Sequence, residues 1–461
     1  MEKHVGIDWK KSPIVITFVV IALLQGIYYL QYFGPLTIPD PDLHVAGTYS
    51  VATGQSFSKV DRYTDAFGNE RKGQELSGDS RYLKLVGAHN GLISDLIAGQ
   101  MPQDSYREAQ LEGLAAIQEA VNQTPLESGF KNRGNNYFPL AWAVPGLGMH
   151  VGMIVGGGNP LTAFQWARSF NLLCFLLVMG SAIALLPRMR FFLVVLGILP
   201  TTIFSASSLM PDAMLTALCA LATALVLRAL ERGELSKRSL AMLTVITCVI
   251  TLVKAVYVPL CLGYLVYPHA MLSRRDKLMS AGIVALAVIL YLVWKTTFGD
   301  TYTIVNLSAN QSFALGNLAS ILARMLYSLL NLPAVLSAQQ PIYPLIACCL
   351  VGLVVWHEAL STRVSATDWR AAVSSYRYVV GGMLAALVVA CGIYVFLLLT
   401  WNDLPAQSFV SPIEGFQGRY LIPVYVVALY LQTLDVDFVA VRSEAYLLEG
   451  KEKADEKGCT R

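Results

Sequence analysis

Apolar segments recur along this chain from Pro13 to Leu434, and each has the length of about twenty residues with which a helix crosses a bilayer. The composition agrees with this pattern, since 55% of the 461 residues are hydrophobic and 14% are charged. A typical soluble domain has about a quarter of its residues charged. The sequence therefore predicts an all-α, polytopic membrane protein.

The first apolar segment and the cysteines show which kinds of membrane protein the sequence excludes. The segment PIVITFVVIALLQGIYYLQYF is too long for a signal-peptide core and lacks a small-residue cleavage site after it, so we interpret it as a retained span. None of the 8 cysteines shows a CxxC or Cys/His metal spacing, and the long polar region after the first span contains none. A disulfide-stapled external domain is therefore excluded.

Six segments rich in lysine and arginine belong in the cytoplasm by the positive-inside rule. They are the N-terminus, PRMR at 187–190, RALERGELSKR at 228–238, SRRDK at 273–277, the segment 357–377 and the C-terminal tail. The segments SASSLMPDAM, GDTYTIVNLSANQ and WNDLPAQSFVSPIEGFQ carry few basic residues and belong outside. This pattern predicts about ten spans in a module at 1–434, a cytoplasmic tail at 435–461 and both termini inside.

Successive loops of a membrane protein must alternate between the two sides of the membrane, and this requirement predicts several shorter elements. The apolar segment 241–268 has basic flanks at both ends, so it is predicted to be a hairpin that turns near LVKAVYVP and places Lys254 outside. The Pro- and Gly-rich segment 137–158, and ASILARMLYSLLN with Arg324, are predicted to be kinked juxtamembrane or re-entrant elements on the outer face.

The region 34–159 is predicted to be a large first extracytoplasmic loop. It contains a helix-like stretch, SYREAQLEGLAAIQEAVNQ, in which Leu111, Leu114 and Ile117 have helical spacing. Loops of this length usually have a function.

Polar residues converge on this outer face, where ionisable groups near membrane depth are costly and indicate a functional site. The candidates are Asp40, Asp42, His44, Tyr137, Arg168, Asn171, Ser208, Asp212, Lys254, Glu414, Gln417, Arg419 and Tyr420.

Several candidates have a structural alternative. Asp40 would cap the next helix, and His44 would be a satisfied interfacial histidine. Asp212 would complement the dipole of the span that it starts. Arg168 would anchor the fold by pairing with an acid.

The residue types fit transfer from an anionic, membrane-bound donor. The carboxylate of Asp40 can deprotonate an acceptor hydroxyl. Lys254 and Arg419, with Tyr420, can bind a phosphate leaving group and neutralise its developing charge; the alternative is that the two cations snorkel to head groups. The sequence has no nucleotide-binding loop, and the acids lie on the side that lacks ATP, so we expect a lipid-carried donor.

The ordered motifs PDPDLH, NNYFPL, ARSFN, SSLMPDA, LVKAVYVPL and QGRYLIP span roughly residues 14–434. Together they resemble a family of predicted bacterial membrane proteins of unknown function. That family is in turn similar to the GT-C superfamily of glycosyltransferases, which use polyprenyl-phosphate sugars.

The resemblance implies a GT-C-like bundle with juxtamembrane helices in the bacterial plasma membrane, with an envelope glycan or lipid as acceptor. It implies that an acid of the first external loop is the base. Here that acid is Asp40 or Asp42, because Pro41 occupies the place of the family's Glu before the histidine. The segment 136–140 matches the family's proline-rich juxtamembrane segment, and Arg168 matches an arginine of the next span.

No cofactor or nucleic-acid partner is indicated. The resemblance leaves a divalent metal open, but the residues do not indicate one, since superfamily members that use a divalent metal carry more acids on this face. The alternative function is a transporter or flippase in which Lys254, Asp212 and Arg168 line a pathway. A transporter is expected to have inverted repeats and discontinuous spans near the midplane. The two halves show no such pairing and the charges cluster at one face, which favours the transferase.

Overall fold

A computed structural model describes residues 13–32, 34, 40–82, 85, 103–267, 271–301, 303–330, 369–406, 415 and 417–434. Glu414, the side chain of Asp42, the N-terminal basic segment and the tail 435–461 lie outside the described residues.

The helices, numbered in chain order, are α1 Pro13–Tyr32, α2 Pro41–Ala52, α3 Gln103–Val121, α4 Ala143–Val155, α5 Pro160–Leu185, α6 Arg190–Ile198, α7 Pro200–Ala206, α8 Asp212–Arg232, α9 Lys237–Lys254, α10 Val258–Cys261, α11 Arg274–Thr297, α12 Leu307–Gly316, α13 Leu318–Leu330 and α14 Trp369–Trp401. Segments of 3-10 helix lie at Ser80–Tyr82, Arg133–Asn136, Pro139–Trp142, Ala255–Tyr257, Leu262–Val266 and Gly418–Leu434.

Within the described residues, 6 helical segments are long and apolar enough to cross a membrane. They are α1, α5, α8, Lys237–Leu265, α11 and the part of α14 at Tyr376–Trp401. The chain is therefore mostly helical and polytopic, while the number ten stays a prediction. The predicted span after PRMR is divided into α6 and α7, because Pro200 forces the preceding residue out of helical geometry and starts a new helix.

The chain reverses direction at Lys254, where α9 ends. Ser280 of α11 holds its Oγ 2.7 Å from Thr244 Oγ1 of α9 and 2.7 Å from the Tyr264 hydroxyl of the following segment. A straight helix would separate Thr244 from Tyr264 by about 30 Å. The segment after Lys254 therefore folds back beside α9, as the charge pattern predicts.

The helix α8 forms the centre of the bundle and is buried nearly all round. It packs against α5, α9 and the 3-10 segment Gly418–Leu434. By contrast, α11 and α14 expose many leucine and valine side chains, as expected of helices that face lipid. Because α8 packs against α9 and Gly418–Leu434, polar residues at the ends of these elements lie close together at one end of the bundle.

The region 34–159 contains a three-stranded antiparallel sheet in the order β1-β2-β3, formed by Val60–Thr64, Glu70–Asp79 and Glu127–Lys131. The register pairs Arg62 with Lys72 and Leu76 with Phe130. The sheet is not predicted from the sequence, and it adds a small β element to the expected all-α class. The predicted helix in this region is α3, and its Ile117 is buried.

The segment 137–158 forms a 3-10 turn and α4, which lies against α5. Two glycines permit this approach: a Cβ at Gly148 would meet the Trp166 carbonyl oxygen at 2.7 Å, and one at Gly152 would meet Ala163 Cα at 2.6 Å. With 13 residues, α4 is shorter than the helix of about 20 residues that spans a bilayer. This agrees with the predicted juxtamembrane element, and α13 has the same length.

Candidate functional site

A buried carboxylate lies between two basic side chains at one end of the bundle. Asp212, the first residue of α8, accepts a hydrogen bond from Lys254 Nζ at 3.0 Å, and its other oxygen lies 3.4 Å from Arg419 Nε. The exposed fractions of the Asp212, Lys254 and Arg419 side chains are 8%, 20% and 10%. These three residues are called the charged cluster below.

Helix ends account for the position of each charge. Asp212 follows Pro211 in the first turn of α8, where an acid complements the helix dipole. Lys254 lies in the last turn of α9, where a cation does the same. Arg419 lies at the start of the 3-10 segment Gly418–Leu434. Three elements thus contribute one charge each.

Aromatic rings surround the two cations. The ring of Tyr420 has its centroid 4.5 Å from Lys254 Nζ and 5.4 Å from Arg419 Cζ, which are cation–π distances. Tyr257, three residues after Lys254 in the turn of the hairpin, donates its hydroxyl to the Tyr420 carbonyl at 2.8 Å. Tyr257 was not among the predicted site residues.

His44 of α2 lies beside the cluster and is buried. Burial lowers the pKa of His44 to about 3, the charges of Arg419 and Lys254 also lower it, and Asp212 opposes them. Its ring meets Trp142 edge-on with centroids 5.3 Å apart, and its Nδ1 has no hydrogen-bond partner among the described residues. The imidazole is therefore neutral near pH 7.

Tyr137 reaches the same place from the NNYFPL motif. Its ring contacts Trp142 with centroids 5.6 Å apart. Burial raises the pKa of Tyr137 to about 12, with Lys254 acting in the opposite direction. The phenol is therefore protonated near neutral pH. Trp142, which is 1% exposed, was not among the predicted site residues. Its ring contacts the rings of both His44 and Tyr137.

Asp40 adopts a left-handed backbone conformation with φ 51° and ψ 53°, immediately before Pro41. Such a conformation is strained for a residue other than glycine. Asp40 precedes α2, yet its side chain makes no capping hydrogen bond to that helix. It interacts electrostatically with Arg419 instead. The structure therefore does not show the capping alternative, and Asp40 lies within electrostatic range of Arg419 of the charged cluster.

Arg168, Asn171 and Ser208 lie next to the cluster and bind backbone. Arg168 donates to the Ser207 carbonyl at 2.6 Å and to a carbonyl at the end of α1 at 2.8 Å. Asn171 donates to the Ser208 carbonyl at 2.9 Å, and the Ser208 hydroxyl bonds within its own turn. These contacts hold the turn that leads into Asp212.

Gln417 lies close in sequence to Arg419, and its buried Oε1 has no hydrogen-bond partner among the described residues. A buried polar atom normally has a partner. With His44 Nδ1 it is a second such atom, on another element, near the same group of charges. Two cations that share one carboxylate, next to polar atoms without partners, can bind an anion that carries further polar groups.

Within the described part of the chain, no group of three or more His, Cys, Asp or Glu residues is placed to hold a metal ion.

Comparison with known proteins identifies a family. A family described as predicted membrane protein (DUF2142) matches residues 23–428, a range that contains the whole charged cluster. No curated protein matches the chain, and no solved structure matches it.

Proposed function

The chain belongs to this DUF2142 family of predicted membrane proteins, and we propose that it is a glycosyltransferase. It would move a sugar from a polyprenyl-phosphate donor to a cell-envelope glycan or lipid on the extracytoplasmic face. One observation carries the proposal: Lys254 and Arg419, from distant parts of the sequence, converge on Asp212 and on the ring of Tyr420.

In the proposed reaction, the donor phosphate binds between Lys254 and Arg419. The bond between the sugar C1 and the phosphate oxygen breaks, and both cations stabilise the charge left on the polyprenyl phosphate. The acceptor hydroxyl forms the new bond to C1 and gives its proton to a carboxylate. The products are polyprenyl phosphate and the glycosylated acceptor.

Asp40 is the preferred base because it lies within electrostatic range of Arg419 and does not cap α2. Its strained backbone is a second reason, since strain of this kind clusters at functional sites. Asp42 stays an alternative base. His44 and Gln417 would use their buried atoms, Nδ1 and Oε1, to bind hydroxyls of the sugar or acceptor.

The basic segments support the extracytoplasmic side for the proposed reaction. The charged cluster lies at the turn of the hairpin, opposite the ends that carry lysine and arginine, and the positive-inside rule puts those ends in the cytoplasm. Polyprenyl-linked sugars supply an activated donor on the outer side without ATP.

The test uses purified protein and a panel of polyprenyl-phosphate sugars, with donor hydrolysis and donor affinity as readouts. Lys254→Ala and Arg419→Ala should each weaken donor binding by roughly a hundredfold, because a charge-assisted contact is lost. Arg419→Lys should also be impaired, since an ammonium cannot bind two phosphate oxygens side by side.

Matched controls exist in the external region. Arg81→Lys changes an arginine that binds Asp79 at 2.7 Å, and Lys72→Ala changes a lysine that donates to backbone carbonyls at the end of α11. Both should leave donor affinity unchanged. Unchanged affinity in all the Lys254 and Arg419 variants would remove the phosphate site, and binding without hydrolysis across the panel would favour a transporter or flippase.

A further inference from the structure

The hydroxyl of Tyr257 connects two elements that carry the cations of the charged cluster. Tyr257 lies in the hairpin turn directly after Lys254 and is fully buried. Its hydroxyl donates to the Tyr420 carbonyl at 2.8 Å, and Tyr420 follows Arg419. One hydrogen bond therefore joins the backbone that carries Arg419 to the turn that carries Lys254.

The local sequence explains why the Tyr420 carbonyl needs a donor from outside its own helix. Residues 418–434 form a 3-10 segment, in which a carbonyl normally accepts from the N–H three residues later. The residue three positions after Tyr420 is Pro423, which has no N–H. Pro423 thus frees a carbonyl within QGRYLIP, and Tyr257 of LVKAVYVP occupies it.

We propose that Tyr257 is a positioning residue that sets the separation of Lys254 and Arg419 through this hydrogen bond. Without it, the Tyr420 carbonyl loses a partner, and the turn with Lys254 and the segment with Arg419 move independently. The Tyr420 ring would lose its fixed place against the cations as well. The inference rests on the proposed function, because the ligand that needs this separation is the phosphate of the donor lipid.

The hairpin provides a matched control. Tyr264 lies on the same returning segment, is also fully buried, and shares a hydrogen bond of 2.7 Å with the Ser280 side chain. That bond lies toward the opposite end of the hairpin from the charged cluster. Tyr257→Phe and Tyr264→Phe each remove one hydroxyl and keep the ring, so a general loss of packing affects both variants alike.

The experiment measures affinity for a sugar-free polyprenyl phosphate together with the melting temperature in detergent. Tyr257→Phe should weaken binding by about fivefold to tenfold, the loss expected for one hydrogen bond. Tyr264→Phe should lower the melting temperature as much as Tyr257→Phe does, because each variant loses one buried hydrogen bond. It should change the affinity by less than about twofold. Equal affinities of Tyr257→Phe and wild type would overturn the inference.

A double-mutant cycle separates positioning from general structure. If Tyr257 acts through Arg419, Tyr257→Phe should have almost no further effect on affinity in the Arg419→Ala background. A purely structural role predicts the same fold-change in both backgrounds. In addition, Pro423→Ala gives the Tyr420 carbonyl an N–H partner within its own segment but does not rejoin that segment to the hairpin turn. Positioning therefore predicts that Pro423→Ala does not recover the affinity that Tyr257→Phe loses, whereas recovery would mean that only the unsatisfied carbonyl matters.

The two proposals fail in different ways. If Lys254→Ala and Arg419→Ala weaken polyprenyl phosphate binding but Tyr257→Phe does not, the phosphate site stands and the positioning role falls. If Lys254→Ala and Arg419→Ala bind polyprenyl phosphate like wild type, the proposed function falls together with the role of Tyr257.

Discussion

Two buried ionic groups of this molecule have opposite compositions. In the charged cluster, one carboxylate lies between two cations. Where the three-stranded sheet meets the residues after α11, one guanidinium lies between two carboxylates: Arg71 is 3.4 Å from Asp65 and 3.4 Å from Asp300. This second group is called the latch.

The partners of the two groups show what each one does. Arg71 of the latch also donates to a carbonyl of the 298–306 connection, and Asp65 accepts the N–H groups of Phe67 and Asn69 at 2.8 and 2.9 Å. The latch thus joins parts of the protein to each other. The charged cluster instead holds two cations on one carboxylate, beside His44, whose Nδ1 has no hydrogen-bond partner in the part of the chain that the structure describes. This arrangement suits an anionic ligand.

The largest expected effect compares Asp40 with Asp65 of the latch. Asp40→Asn keeps a residue type that tolerates the left-handed backbone and removes only the charge. It should lower the transfer rate by about a hundredfold to ten-thousandfold, the usual contribution of a general base, without lowering the melting temperature. Asp65→Asn should lower the melting temperature and leave the transfer rate unchanged.

Both quantities are measured on the same purified variants. Asp42→Asn is made in parallel, because near-normal transfer by Asp40→Asn would move the role of base to Asp42. If both Asn variants transfer normally, no acid of PDPDLH acts as the base.

The next effect compares Asp212 with Asp300. Asp212→Asn leaves Lys254 and Arg419 buried without their carboxylate, and breaking a buried pair in this way costs about 3–5 kcal/mol. Asp300→Asn should cost less, because Arg71 keeps Asp65. Unfolding free energies in detergent measure the difference.

A ligand experiment sharpens this second comparison. A bound phosphate would replace the missing carboxylate, so polyprenyl phosphate should raise the melting temperature of Asp212→Asn more than that of wild type. The Asp300→Asn variant should respond like wild type. Equal responses of the two variants would mean that a bound phosphate does not take the place of the Asp212 carboxylate, and no response in any variant would mean that polyprenyl phosphate does not bind.

The sequence was sufficient for features that depend on local charge and apolar length. The alternation of basic segments requires a reversal between 241 and 268, and the structure turns at Lys254. Helix ends are also local features, so Asp212 and Lys254 could be placed at one face before any contact was known. These features place Asp212 and Lys254 at one face, while their contact with each other and with Arg419 is seen only in the structure.

Long-range packing and polar strands could not be predicted in this way. The strands β1 to β3 are rich in polar residues and lack a strict apolar alternation, which is the signal that marks a strand. Tyr257 and Trp142 resemble ordinary core aromatics until their partners, Tyr420 and His44, are known. Likewise, nothing local shows that Arg168 donates to backbone carbonyls.

The smallest expected effect concerns the pH dependence that the site gives to the whole molecule. Burial lowers the pKa of His44 from 6.5 to about 3, with Arg419 and Lys254 acting in the same direction and Asp212 against them. Between these two pH values the unfolded chain binds a proton at this position and the folded chain does not. Stability contributed by His44 is therefore complete above pH 6.5 and decreases as the pH falls toward 3.

Within that window, the unfolding free energy of wild type should fall by up to about 1.4 kcal/mol for each unit by which the pH decreases, because of His44. His44→Gln removes this contribution, so its unfolding free energy should depend less steeply on pH between 6.5 and 5. His150→Asn, which changes an exposed histidine whose Nδ1 lies 2.9 Å from the Ala52 carbonyl oxygen, is measured in the same buffers to show whether a change of slope is specific to the buried position. Equal slopes for wild type and His44→Gln would mean that His44 is hydrated in the folded protein. A hydrated, protonatable imidazole would add a third positive charge beside Lys254 and Arg419 and would widen the contrast with the latch, in which two carboxylates face one guanidinium.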